Sequence, residues 1–77
     1  MIFDYSKLNG RIVEILGTRS KFALEMGLSE RSISLKLNNK RYWKNNEIQK
    51  AIRLLDIPEE DIGAYFFNIK VQQNEQF

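Results

Sequence analysis

The stretch from Ser20 to Lys36 constrains the fold most, because it reads as two short helices with a break between them. Phe22, Ala23 and Met26 recur at i, i+1 and i+4, the apolar stripe of a short amphipathic helix. Gly27 follows, and glycine accepts the left-handed geometry in which helices commonly end. Ser29 then offers a hydroxyl as the N-cap of a second helix. Leu28 before it and Ile33 after it have the spacing of a hydrophobic staple. Ile33 and Leu37 continue the buried edge. Two helices crossing at a glycine turn need a small residue at the contact, which Ala23 supplies. The pattern is a helix-turn-helix, a unit whose second helix suits the DNA major groove.

The residues Phe22-Ala23, Met26-Gly27-Leu28-Ser29 and Ile33-Ser34 resemble the lambda-repressor/Cro class of helix-turn-helix. The wider run from Gly17 to Phe67 includes Leu35 to Lys40, Trp43, Glu47-Ile48 and Leu54 to Ile57. It is similar to the short Cro-like regulators encoded by phages and prophages, over roughly two-thirds of the chain. The resemblance implies a sequence-specific DNA-binding regulator whose third helix occupies an operator half-site and blocks a promoter. It also implies a homodimer reading half-sites about one helical turn apart, in the cytoplasm of a bacterial host at its nucleoid. The chain departs from the class at Lys36, where an apolar residue is usual and where Leu37 is expected to take over the packing.

Seventy-seven residues suit one domain with a small core, in which roughly 60–65% of the unfolded surface can be buried. The whole chain, 1–77, therefore reads as a single domain, with the helix-turn-helix at 19–38 and a C-terminal extension at 66–77. Histidine and cysteine are absent, which removes the usual general base, the commonest zinc ligand and thiolate chemistry. The carboxylates and lysines show no spacing that suggests a catalytic dyad, so no enzyme activity, cofactor or small-molecule substrate is expected. No signal peptide and no apolar run near the ~20 residues of a membrane span is seen; the reading is soluble and intracellular. Net charge is only +2, but it is segregated. Arg19, Lys21, Arg31, Lys36, Lys40, Arg41 and Lys44 face only Glu25 and Glu30 between Thr18 and Lys44, while the C-terminal part is acidic. A polyanion-binding face requires such a distribution.

Helix 1 is expected to start after Asp4 or Ser6 and run to Leu16, with Leu8, Ile12, Ile15 and Leu16 inward and Val13 beside them. Gly17 ends it and Thr18 caps the next. Arg19 and Lys21 in the first turn of helix 2 oppose the helix dipole, a broken local rule that points to a phosphate held there. In helix 3, expected from Glu30 to Asn38, Ile33 and Leu37 set the buried direction. Arg31, Leu35 and Asn38 then point the other way, with Ser34 at the flank. Arg31 fits guanine, and Ser34 and Asn38 fit base edges or phosphate. Leu35 suits either a thymine methyl or burial against a neighbouring element, and Glu30 either cytosine or its own helix N-terminus. The candidate phosphate contacts are Thr18, Arg19, Lys21, Lys36, Lys40, Arg41, Tyr42, Lys44 and Asn45.

Trp43 reads as core, because it and Ile48 again have staple spacing around Lys44, with Glu47 as half a capping box. Lys44 and Asn46 are alternative caps for helix 4. Tyr42 offers either a hydroxyl to phosphate or a ring to cover its loop. Helix 4 carries Ile48, Ala51, Ile52 and Leu55 and stops near Asp56, ahead of Pro58. Pro58 to Asp61 opens helix 5, its acids complementing the dipole rather than binding metal, and Ile62, Tyr65 and Phe66 face inward. Phe67, Ile69 and Val71 alternate with polar residues as in a strand. Such a strand pairs with its twin across a two-fold axis, making these three a dimerisation set, or folds back onto Ile2-Phe3. The expected fold is all-α: a compact, lambda-repressor-like bundle of five short helices with a short C-terminal strand. The expected function is operator binding, to double-stranded DNA as a homodimer. The alternative is a protein-interaction module on a helix-turn-helix scaffold, engaging an antirepressor, toxin or polymerase subunit.

Overall fold

The helices begin and end where local side chains and glycines make them. In the computed structural model, which describes residues 2–70, Asp4 Oδ1 accepts from the Ser6 amide at 2.8 Å and from the Ser6 hydroxyl, opening α1 (Ser6–Leu16). Those bonds hold the Asp4 carboxyl below its ordinary range. Gly17, at φ 89°, closes the helix. Thr18 Oγ1 accepts from the Lys21 amide at 3.1 Å and starts α2 (Arg19–Met26). Gly27 ends α2 in the left-handed region at φ 73°, and Ser29 Oγ accepts from the Ser32 amide at 3.0 Å to start α3 (Glu30–Leu37). The break between α2 and α3 thus has the expected glycine and the expected cap.

Lys44 occupies the cap position of α4 (Asn45–Leu54), and its amide donates to Glu47 Oε1 at 2.9 Å, the expected half capping box. A 3₁₀ turn at Glu59–Asp61 follows Pro58 and leads into α5 (Ile62–Phe66). The fold is all-α, five helices with no strand among the described residues. In place of the expected strand there is one antiparallel bridge between Phe3 and Ile69. It is held by Asp4 N to Asn68 O at 2.7 Å and Lys70 N to Ile2 O at 2.8 Å. Residues 68–70 therefore fold back onto Ile2-Phe3, the second of the two expected arrangements.

One core joins the helices: Leu8 and Ile12 from α1, Phe22, Ala23 and Met26 from α2, Ile33 and Leu37 from α3, Ala51 from α4, and Leu55, Ile57 and Phe66 beyond. Trp43 packs against it, its ring 5.4 Å from Phe66 edge-on and 6.3 Å from Phe22. Two residues expected inside or beside the inner face of α1 are not there: Ile15 is 41% and Val13 59% exposed. Leu8 and Ile12, one helical turn apart, fix the buried direction, and Leu16, another turn on, continues it; Ile15 and Val13 fall to either side of that line.

Candidate functional site

Around α3, Arg31, Ser34, Leu35 and Asn38 lie within about 100° of arc, and Ile33, Lys36 and Leu37 fill the opposite side. The structure brings the first four to one outward face, with Glu30 exposed at its start. Arg31 and Asn38 are exposed; Ser34 and Leu35 are half-buried. Asn38 Nδ2 donates to Ser34 Oγ at 3.3 Å, which fixes both polar groups and leaves the serine hydroxyl free to donate. Arg31 makes no hydrogen bond or ion pair with another described residue, so its guanidinium is available to a partner.

Exposed cations border this face. Arg41 Nη1 donates to Ser32 Oγ at 3.3 Å, which draws the α3–α4 loop against α3. Arg19 Nε donates to Asn9 Oδ1 at 3.2 Å. Asn9 in turn lines a polar cleft of about 450 Å3 with Asn38, Asn39 and Lys40. Asn9 thus links Arg19, at the start of α2, to the cleft at the end of α3. Lys21, Lys40, Lys44, Asn45 and Tyr42 are exposed as expected, and Thr18 is exposed while serving as a cap.

Lys36 leaves the phosphate set. Its side chain is 3% exposed, and Leu37 beside it is buried too. The ammonium donates to the Tyr42 carbonyl at 3.0 Å and pairs with Glu47 Oε1 at 2.9 Å, with the Trp43 ring centroid 5.8 Å away. A cation spent on a buried carboxylate does not reach solvent anions. Burial pushes the Glu47 carboxyl up, but the Lys44 amide, the bonded Lys36 ammonium and the charges of both lysines outweigh it, holding it below the usual range.

Of the dimerisation set, Phe67 and Ile69 are exposed and Val71 lies outside the described residues. Phe67 stands edge-on to Phe3 at 5.9 Å, within its own chain. Three positioning residues were not singled out from the sequence, and two of them, Arg11 and Lys50, carried no signal in it. Arg11 donates to the Leu55 and Asp56 carbonyls at 2.8 and 2.9 Å, tying α1 to the end of α4. Asn39, at φ 63°, accepts from the Phe3 amide at 2.9 Å and donates to its carbonyl at 2.8 Å. Lys50 reaches the Met26 carbonyl at the end of α2, at 3.5 Å. Only Asn39 had a detectable cue, since asparagine just past a helix is a common left-handed residue.

Among the described residues, no helix is long and apolar enough to cross a membrane. The family model described as "Protein of unknown function (DUF739)" matches residues 1–69. A search of curated proteins finds no match. Among solved structures, the chain is similar to the modulator of repression (MOR) of the temperate bacteriophage TP901-1 from Lactococcus lactis, determined in solution. The two are 54% identical, with a TM-score of 0.77, over 94% of this chain and 97% of that one.

Proposed function

The chain belongs to the DUF739 family, and we propose that it is a phage-type regulator that modulates repression by binding a protein, a repressor, through its helix-turn-helix face. The likeness to the phage modulator of repression carries this reading: 54% identity across nearly the full length of both chains. The chemistry of the face agrees with a protein partner. Arg31 shares it with the half-buried Leu35 and the carboxylate of Glu30, and the exposed Tyr42 stands on the adjoining loop. Arginine and aromatic anchors among polar neighbours are the composition of protein interfaces. The loss of Lys36 to Glu47 also weakens the polyanion-binding character that its sequence suggested.

Operator DNA is the second reading, favoured by one observation: Arg31, Ser34 and Asn38 share the outward arc of a capped α3, in a motif resembling the lambda-repressor/Cro class. A homodimer belongs to that reading, with Phe67 and Ile69 as its exposed apolar residues. Purified chain titrated with the repressor encoded in the same genome, and separately with upstream intergenic duplex at two salt concentrations, tests both, with sedimentation in parallel. A stoichiometric complex with repressor and only weak, sequence-independent DNA retention is the expected result. Sequence-specific DNA binding with no repressor complex overturns the first reading.

A further inference from the structure

Tyr42 is the most exposed large apolar residue among those described, at 88%, yet the loop that carries it is firmly tied. The Lys36 ammonium holds the Tyr42 carbonyl at 3.0 Å. Lys40 N donates to Leu35 O at 2.8 Å, and Lys44 N to Glu47 Oε1 at 2.9 Å. The neighbouring Trp43 ring packs against the core, edge-on to Phe66 and tilted to Phe22. The backbone is therefore fixed by the Lys36–Glu47 ion pair and a half-buried, core-packed indole while the tyrosine ring projects into water. A tyrosine on a rigid backbone loses few rotatable bonds when it is covered, the economy on which binding loops rely. Exposed cations, Arg41 and Lys44, stand on either side of it in the chain.

Resting on the protein-partner reading above, we propose that Tyr42 is the anchor of that interface. Its ring fills an apolar pocket on the partner, and Arg41 and Lys44 meet carboxylates at the pocket's edge. A DNA backbone would engage the hydroxyl but leave both ring faces wet, so it makes poor use of a ring exposed to this extent. A protein pocket desolvates the whole ring, and positive flanks select an acidic border.

The test uses the full chain and the purified repressor by calorimetry, with duplex DNA as a control. Because the ring touches solvent, Tyr42→Ala keeps the wild-type melting temperature while weakening the repressor complex by about 30-fold or more, the threshold of an interface hot spot. Tyr42→Phe stays within about threefold of wild type, since the ring and not the hydroxyl supplies the contact. Arg41→Ala and Lys44→Ala weaken it less, and most at low salt. If the wild-type chain binds repressor and Tyr42→Ala binds equally well, the anchor is overturned while the protein-partner reading stands. Equal losses in Tyr42→Phe and Tyr42→Ala assign the effect to the hydroxyl and overturn it as well, as does a loss confined to DNA. A wild-type chain that does not bind repressor overturns the parent reading itself.

Discussion

A lysine at 3% exposure inside a 77-residue chain is a large liability unless its charge is matched. Lys36 is matched twice, by the Glu47 carboxylate and the Tyr42 carbonyl. Removing one partner strands the other, and the two directions differ. The Glu47 side chain is 11% exposed and keeps the Lys44 amide, so Lys36→Met is expected to cost about 1–3 kcal/mol. Glu47→Leu leaves an ammonium with only a carbonyl and is expected to cost about 3–5 kcal/mol, with Lys36→Met/Glu47→Leu recovering most of it. Urea denaturation of the four proteins measures the cycle. The pair also sets an acid limit. Glu47 titrates lower in the folded chain than unfolded, so its contribution is complete above the ordinary carboxylate range and is lost as pH falls through the lowered value. Below about pH 4 the wild type should lose stability faster than the double variant.

At the scale of elements, the α2–break–α3 unit was legible because its signals are local. Thr18 and Ser29 each bond an amide three residues on, and Gly17 and Gly27 take positive φ beside their own helices. Nothing comparable announced Arg11 on the Leu55 and Asp56 carbonyls, or Lys36 on Glu47, because the loop path decides which distant groups meet. Lys36 was expected at phosphate because of its charge, whereas α3 turns that position inward. The same locality makes α3 easy to perturb separately. Ser29→Ala removes a cap and is expected to cost about 1 kcal/mol in thermal denaturation, without altering the outward arc. Arg31→Ala changes only that arc. It should leave stability within about 0.5 kcal/mol of wild type while weakening repressor binding. On DNA it should relax base preference at a cost of about 1–3 kcal/mol; unchanged behaviour with both ligands would remove Arg31 from the site.

Across the whole molecule, residues 2–4 and 68–70 converge on the end of the helix that bears the candidate site. The Phe3–Ile69 bridge uses the Asp4 and Lys70 amides, so the main-chain groups of Phe3 itself point to the other edge. Asn39 meets them there with its side-chain amide, supplying both bonds that a second strand would have made. One asparagine in the left-handed region thus links the N-terminal arm, through it residues 68–70, and the C-terminal end of α3. Asn39→Ala loses two hydrogen bonds and places a Cβ-bearing residue without local compensation at positive φ, at an expected cost of about 1–2 kcal/mol. Asn39→Gly relieves the backbone but not the lost bonds and should fall between Asn39→Ala and wild type. Because Asn39 and Ile69 hold opposite edges of the same three residues, hydrogen exchange should report the loss beyond the mutated site: the Asp4 and Lys70 amides should exchange faster in both variants. Wild-type protection at Asp4 and Lys70 would mean that the bridge stands without Asn39, and that residues 2–4 and 68–70 are not coupled to α3 through it.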